Sequence, residues 1–326
     1  MRFFSFSLFP LNLFYYFYRM NKKELKTDIM LIIAAILWGL GFVAQRDGMN
    51  YIGPFLYSAI RFGIGALCIL PIYFMTRKQE RKIKVEKKTI LIAGVIVGIF
   101  LFLAVSAQQV GLKTTTASKA SFITALYMIL VPIFGIFLKH KTAKTVWLSI
   151  VIAMAGVYFM SITKEFTIER GDLFIILCAV LWAVHFLFIA HYSSRVGAIR
   201  LSLLQFLICA VLSLIVSIFT EPPDLSALSP ALPSILYGGI GAVGIAYTLH
   251  VVALKDANPA YASLILSTES VFGALGGWLI LHETMTSRQL LGAGLILGAV
   301  LLTQIKKRKS ASHKGTKNDL LLGTKH

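Results

Sequence analysis

Two charged side chains lie within long apolar stretches of this chain, and they are the residues best suited to do chemistry there. The guanidinium group of Arg61 can bind a carboxylate through charge-assisted hydrogen bonds, or can pair with the carboxylate of Glu269. If these stretches cross a bilayer, each charge costs roughly 2.5 to 3.5 kcal/mol at a helix centre, so each needs a partner or a water-lined cavity. We therefore treat both positions as candidate functional sites.

The composition indicates that these stretches do cross a membrane. Of the 326 residues, 57% are hydrophobic and only 14% are charged, against roughly 25% in soluble domains. At 1.5 Å per residue, an apolar helix of about 20 residues crosses a hydrocarbon layer of roughly 30 Å. We expect an all-α integral membrane protein with ten transmembrane helices, at residues 29–46, 54–75, 89–111, 117–138, 145–162, 171–191, 200–219, 231–253, 259–281 and 287–305.

The depth of each charge follows from the proline near the start of its helix. Glu269 lies ten residues beyond Pro259, about 15 Å along the helix and close to the midplane. Arg61 lies seven residues beyond Pro54, about 10 Å below the opposite surface. We expect both side chains to face a central cavity. The alternative is that Arg61 extends to the interface and Glu269 hydrogen-bonds a neighbouring helix.

The distribution of the net charge of +18 indicates the orientation of a membrane protein rather than a surface that binds nucleic acid. Most of the basic residues fall on one side if the N-terminus is cytoplasmic, including those of residues 77–88, RKQERKIKVEKK, and of the tail from residue 306. The positive-inside rule then predicts a multi-pass protein of the plasma (inner) membrane with both termini in the cytoplasm. The lipid bilayer and a small molecule are the expected partners, and nucleic acid is not.

The chain also resembles itself at a spacing of 144 residues, which shortens to 142 later in the sequence. Each half contains five spans, and because five is odd the second half must enter the membrane from the opposite side. The prediction is two inverted five-helix repeats, the architecture that secondary transporters use for alternating access. Chance similarity among aliphatic helices is the alternative. The matched pairs include Asp28 and Asp172, Trp38 and Trp182, Phe62 and Phe206, Lys113 and Lys255, and His140 and His282.

The repeat divides the chain into four parts. We assign the first repeat to residues 20–165 and the second to residues 166–305. Residues 1–19 are aromatic-rich and too short to span, which indicates an upstream translation start or a loosely membrane-associated extension. Residues 306–326 are expected to form a basic, disordered cytoplasmic tail.

Repeat-matched positions that hold polar or aromatic residues are the best candidates for substrate binding or coupling. Four pairs qualify: Trp38 with Trp182, Arg61 with Gln205, Gln108 with His250, and Tyr127 with Glu269. Helical spacing adds that Gln45 shares a face with Trp38, and His185 with Trp182. Ordinary aromatic packing is the alternative interpretation. The candidate set is Trp38, Arg61, Gln108, Tyr127, Trp182, His185, Gln205, Tyr247 and Glu269.

Three titratable groups are candidates for carrying a coupling proton. His185 and His250 are candidates because an unperturbed imidazole titrates in the physiological range, although a lone buried histidine is more often neutral and hydrogen-bonded. The carboxyl group of Glu269 is the better candidate. A facilitated exporter would need no titrating group at all.

Several sequence motifs that could indicate nucleotide binding or other chemistry have a structural interpretation here. Residues 239–244, GIGAVG, match a dinucleotide fingerprint but lie inside an apolar helix, so we expect them to serve close helix packing. The GxxxG spacings at Gly94 and Gly98 and at Gly294 and Gly298 have the same interpretation, with a homodimer interface as the alternative for the second pair. The sequence has no P-loop, metal-ligand cluster or nucleophile with suitable partners. Cofactors, metals and enzyme activity are therefore not expected.

The sequence resembles the drug/metabolite transporter superfamily of the EamA type. The likeness covers residues 28–305 and is carried by DIMLIIAAILWGLGF, SAIRF, GLKTTTASKASFITALYMILVPIF and the long segment ANPAYASLILSTESVFGALGGWLILHETMTSRQLLGAGLILGAVLL. It departs at residues 281–283, where the family often has glycine before the glutamate. The resemblance implies ten helices in two inverted halves, and export of amino acids, other small metabolites or amphipathic drugs without ATP.

The leading hypothesis is a secondary transporter that exports a small metabolite such as an amino acid by alternating access. A multidrug exporter is the alternative, because an aromatic cavity with Glu269 suits organic cations. An intramembrane enzyme or receptor is disfavoured, because the buried polar residues are few and distributed symmetrically between the halves. Pro132 is expected to kink the fourth helix.

Overall fold

The computed structural model describes residues 22–80, 82–115, 117–161, 170–221, 227–280 and 285–303. Four sequence predictions fall outside these residues. They concern the extension at residues 1–19, the boundary at residues 165–166, the turn at residues 281–283 and the basic tail from residue 306.

The described residues form ten helical elements, and each predicted span coincides with one of them. In a bilayer every backbone donor and acceptor must be satisfied within its own segment. Apolar segments that cross the bilayer therefore form helices. Large apolar side chains such as Met75, Phe137 and Phe219 face outward, as lipid contact requires. The helices are α1 (Lys22–Gly48), α2 (Pro54–Glu80), α3 (Lys87–Leu112), α4 (Ala117–Thr124 and Tyr127–Phe137), α5 (Lys144–Ser161), α6 (Arg170–Val196), α7 (Ala198–Thr220), α8 (Leu228–Leu254), α9 (Pro259–Leu266 and Glu269–Ile280) and α10 (Ser287–Thr303).

Successive helices alternate in direction, so two sides of the bundle can be named. We call the side on which α1 begins, at Lys22, the proximal side, and the side on which it ends, at Gly48, the distal side. Odd-numbered helices of the first half run from proximal to distal, and their counterparts in the second half run the other way.

Helices α4 and α9 are both interrupted, at positions 142 residues apart. The interruption in α4 is bridged by hydrogen bonds from Met128 N to Ala125 O and from Ile129 N to Leu126 O, each 3.0 Å. In α9 the same two bonds run from Ser270 and Val271 to the carbonyls of residues 267 and 268, at 3.2 and 2.9 Å. The breaks are therefore a duplicated feature. Pro132 lies within the second segment of α4, so the helix is broken before the proline and not at it.

Hydroxyl groups help to explain the break in α9. The hydroxyls of Ser267 and Thr268 donate at 2.7 Å to the carbonyls of Leu264 and Ile265, three residues back in each case. Such bonds compete with the regular helical ladder and bend helices. In α8, residues Tyr237–Tyr247 instead form a wider π-helical segment.

The glycine predictions are confirmed at two places and wrong at a third. Gly94 packs against Leu204, and Gly98 against Ile208, so closely that an added β-carbon would lie 2.8 and 2.7 Å from the neighbouring side chain. The GIGAVG segment packs in the same way, with Gly239 against Ile64. In contrast, β-carbons at residues 294 and 298 would meet no atom of the described residues within 4 Å. That pair faces outward because α10 packs on α5 through Gly292, and the homodimer interpretation stays a prediction.

Helices α2 and α7 are repeat mates and pack antiparallel, with each helix end bound by the other. At the distal end, the carboxylate of Glu221 accepts hydrogen bonds from Phe55 N and Leu56 N, both 2.7 Å. At the proximal end, the carboxylate of Glu80 accepts from Ile199 N and Arg200 N at 3.0 and 3.2 Å. Each carboxylate satisfies first-turn N–H groups that have no intrahelical partner, and it suits the positive end of the helix dipole.

A glycine precedes each of these two helix starts and leaves room for the carboxylate. A β-carbon on Gly53 would clash with the carboxylate of Glu221, and one on Gly197 would lie 2.7 Å from that of Glu80. Gly197 also has a φ of 93°, in the left-handed region that glycine adopts without strain. The two glycines are repeat mates, 144 residues apart, whereas the two capping carboxylates are 141 residues apart and do not occupy matched positions. We refer to this feature as the reciprocal caps.

Candidate functional site

A narrow cavity of about 30 Å³ lies between the two halves, from the middle of the bundle toward the distal side. Seven of the nine predicted site residues line it, and the exceptions are His185 and Gln205. The seven are Trp38, Arg61, Gln108, Tyr127, Trp182, Tyr247 and Glu269.

Tyr127 and Glu269 meet at the centre of the bundle. Each begins the second segment of a broken helix, and the Tyr127 hydroxyl donates to Glu269 Oε1 at 3.3 Å. The two residues are repeat mates, and mates touch only where they lie on the axis that relates the halves. The interruptions in α4 and α9 therefore place a phenol and a carboxylate together on the pseudo-two-fold axis.

Three aromatic rings form the wall of the cavity at this depth. The Tyr247 ring lies 4.7 Å from Trp38, edge to face, and 5.7 Å from Trp182, stacked. The two tryptophans, again repeat mates, lie 6.5 Å apart. We call Trp38, Trp182, Phe186 and Tyr247 the aromatic cluster. Phe186 lines the same cavity.

Hydrogen bonds between α1 and the π-helical segment hold the cluster in place. The indole of Trp38 donates to the carbonyl of Ala242 at 3.1 Å, and the hydroxyl of Tyr237 donates to the carbonyl of Leu37 at 2.8 Å. These two bonds link α1 to α8 and position the first tryptophan.

Arg61 lies on the distal side of the cluster, with 2% of its surface exposed. Its guanidinium group lies 5.4 Å from the Tyr57 ring and 5.1 Å from the Phe62 ring. Among the described residues, neither Nε nor Nη2 of Arg61 has a hydrogen-bond partner. A buried cation with unsatisfied donors is costly, and a ligand that accepts those hydrogen bonds removes the cost.

The structure does not join Arg61 to Glu269. Within the described part of the chain the two form no ion pair, and Oε1 of Glu269 is bound to Tyr127 instead. The interpretation of Arg61 as a side chain that reaches the interface is also wrong, since the residue is buried. The cavity therefore holds a positive group and a carboxyl group at separate places.

The model of the EamA-like transporter family matches the chain twice, over residues 25–162 and residues 169–305. This chain belongs to that family. The resemblance seen in the sequence is thereby confirmed, together with the ten-helix fold in two inverted halves. The protein is a multi-pass membrane transporter.

Proteins with similar sequences are also named as transporters. An uncharacterized transporter of Archaeoglobus fulgidus is 29% identical over 285 residues, covering 87% of each chain. The uncharacterized transporter YoaV of Bacillus subtilis is 25% identical, covering 85% of this chain and 96% of its own. A solved crystal structure superposes with a TM-score of 0.73 at 20% identity, covering 87% of this chain and 98% of that one, which shows the same fold.

In this EamA-like transporter, His185 and Gln205 lie on the proximal side of the aromatic cluster with His250. His185 Nε2 lies 2.9 Å from Gln205 Oε1, at hydrogen-bond distance. The His250 ring packs on Phe186 with centroids 4.3 Å apart. All three polar residues are fully buried. The structure thus separates two predicted residues from the cavity that holds the others.

The transporter's cavity also includes residues that the sequence did not single out as site residues. Gln45 and Phe42 line its distal part, and Thr124 lies beside the break in α4. The helical face shared with Trp38 was a usable signal for Gln45. No sequence pattern indicated Thr124, because the interruption of α4 was not predicted.

Proposed function

We propose that this protein is a secondary, non-ATP exporter of small metabolites such as amino acids, which works by alternating access. The observation that carries the proposal is Arg61, a buried guanidinium with unsatisfied donors in a cavity between inverted halves. A cavity of this kind, mostly apolar with a few polar groups, is typical of small-molecule sites. Rocking of the halves about the axis at Tyr127 and Glu269 exposes the cavity to each side in turn.

An amino acid fits the charges of the cavity. Its carboxylate accepts charge-assisted hydrogen bonds from Arg61. Its ammonium group points toward Glu269 and the faces of the aromatic cluster, which attract cations. The two protein charges are not paired with each other, since Glu269 accepts a hydrogen bond from Tyr127, so each can interact with one end of a zwitterion.

The orientation and location follow from charge. The positive-inside rule places the proximal side, with Lys82, Lys84, Lys87 and Lys88 on it, in the cytoplasm. The distal cavity then faces the outside, and the plasma (inner) membrane is the location that we propose.

A multidrug exporter is the second candidate, and the aromatic cluster favours it. Three aromatic rings beside a carboxyl group bind organic cations well. Against it stands Arg61, whose charge repels a cation in the same cavity. The two candidates therefore differ in whether removal of the Arg61 charge weakens or strengthens transport.

Flux assays in proteoliposomes test the proposal. The panel contains the twenty protein amino acids, tetraphenylphosphonium and a set of sugars, each with and without a pH gradient. We expect amino-acid flux that Arg61→Gln lowers about 100-fold. Arg288→Gln is a matched control, because Arg288 also lies over two rings, Tyr158 and Phe159 at 5.4 and 5.7 Å, but is exposed and outside the cavity.

Two results would count against the proposal. Flux of tetraphenylphosphonium alone, increased by Arg61→Gln, would support the multidrug candidate. No flux of any compound from correctly inserted protein would overturn transport of these classes altogether.

A further inference from the structure

Two of the three residues in the proximal group of His185, Gln205 and His250 have the same place in the second half that distal polar residues have in the first. Gln205 is the repeat mate of Arg61, and His250 is the mate of Gln108. Both distal mates line the cavity. Gln205 and His250 therefore occupy positions whose equivalents in the other half line a cavity.

Hydrogen bonding in the proximal group is incomplete. Within the described residues, four nitrogen atoms lack a hydrogen-bond partner although their side chains are fully buried. These atoms are Nδ1 of His185, Nε2 of Gln205, and both Nδ1 and Nε2 of His250. Buried polar groups in proteins are nearly always satisfied, so a cluster of exceptions points to partners that bind in another conformation.

The aromatic cluster separates this group from the cavity. The ring of His250 lies 5.2 Å from Trp38 and 4.3 Å from Phe186, and the ring of His185 lies 5.2 Å from Trp182. Those three aromatic residues also line the cavity on their other side. They are a single layer of rings between two sets of polar residues, and movement of that layer uncovers the proximal set.

We propose that His185, Gln205 and His250 form a second binding site for the carboxylate of the substrate, open to the proximal side when the distal cavity is closed. The inference rests on the alternating access proposed above. The amide Nε2 of Gln205 and an imidazole N–H supply the donors. Because these donors lack the fixed charge of Arg61, the proximal site binds a carboxylate more weakly than the distal site does.

Thiol labelling tests the site. In a background with Cys68, Cys178 and Cys209 replaced by alanine, Gln205→Cys and His250→Cys are treated with a membrane-impermeant thiol reagent in vesicles of each orientation. Lys82→Cys, in the exposed connection between α2 and α3, identifies the proximal side. Ile69→Cys is the control, because Ile69 is buried in the proximal half of α2 and its repeat mate does not line the cavity.

We expect both test cysteines to react from the proximal side only, and Ile69→Cys not to react. A mixture of the twenty amino acids on the proximal side is expected to slow labelling by about tenfold, whereas tetraphenylphosphonium leaves it unchanged. Labelling from the distal side, or labelling that the amino acids leave unchanged, would overturn the inference. So would an absence of labelling at both test cysteines, and flux in the cysteine-free background protein would show that the proposed function still holds.

A second measurement covers variants that insert poorly. The repeat mate of His250 is Gln108, so a glutamine is already tolerated at the equivalent position and His250→Gln is expected to insert. Glutamine also keeps a hydrogen-bond donor. We expect the half-saturating amino-acid concentration on the proximal side to be about tenfold higher for His250→Leu than for His250→Gln. Equal half-saturation for both variants would overturn the site. Absence of flux in the wild-type protein would instead contradict the proposed function.

Discussion

Repeat mates lie in opposite settings on the two sides of the aromatic cluster. All four side chains are buried, but Arg61 and Gln108 line the distal cavity, whereas their proximal mates Gln205 and His250 do not. Parts of the backbone are duplicated, as the matching hydrogen bonds in the breaks of α4 and α9 show, although α8 contains a π-helical segment and its mate α3 does not. Duplication therefore preserves where polar side chains lie, while divergence at single positions sets the charge that each side offers.

The largest expected effect comes from making the distal side resemble the proximal one. Arg61→Gln places on α2 the residue that α7 carries, and it removes the charged donors without leaving an empty position. We expect the rate of amino-acid flux at low concentration to fall about 100-fold, since hydrogen bonds to a charged group contribute about 1.5–3 kcal/mol. Flux within a factor of three of Arg288→Gln would show that the charge difference between the sides has no role.

A smaller effect is expected at the axis, where the two halves are joined. Tyr127→Phe removes the hydrogen bond to Glu269 and keeps the ring. We expect flux to fall about tenfold, because one donor to the carboxyl group is lost. Tyr158→Phe, on the exposed surface of α5, is the control. Equal flux in both variants would mean that the axis contact does not matter for transport.

The two tryptophans provide a direct comparison within the aromatic cluster. Trp38→Phe loses the 3.1 Å hydrogen bond to the π-helical segment, whereas Trp182→Phe keeps that bond intact. We expect Trp38→Phe to lower the free energy of unfolding by about 1 kcal/mol more than Trp182→Phe does. Thermal unfolding in detergent measures the difference, and the reverse order would show that packing outweighs this bond.

The smallest effect is expected at the reciprocal caps. Glu221 accepts three hydrogen bonds of 2.7–2.8 Å, from two backbone N–H groups and Ser217, while Glu80 accepts two backbone bonds of 3.0 and 3.2 Å and lies 3.9 Å from Arg200. We therefore expect Glu221→Gln to destabilise the fold by about 1 kcal/mol and Glu80→Gln by less. Glu86→Gln, at an exposed position, controls for loss of charge. A larger loss at Glu80 would contradict this order.

The sequence was sufficient to predict the spans, the inverted repeat and most of the cavity lining. Those features depend on hydrophobic length and on residue type at matched positions, which are local properties. The sequence did not predict that His185 and Gln205 lie apart from the cavity. Repeat matching establishes that two positions are equivalent, but which of the two is open depends on how the halves are packed.

The breaks in α4 and α9 and the caps at Glu80 and Glu221 could not be predicted from the sequence either. In α9 the relevant hydroxyls belong to Ser267 and Thr268, which are common in regular helices too. The caps join residues 119 to 166 positions apart, so no local pattern contains both partners. Long-range contacts of this kind become visible only once the helices are placed side by side.

The reciprocal caps also have a consequence for how the protein is made. As α2 enters the membrane, the acceptor for its first N–H groups has not been synthesised, because Glu221 follows 166 residues after Phe55. The acceptor for α7, in contrast, is already present when that helix emerges from the ribosome. During biosynthesis the first N–H groups of α2 therefore gain their carboxylate acceptor later than those of α7 do. A nascent chain that stops after the first repeat leaves the N–H groups of α2 without this acceptor.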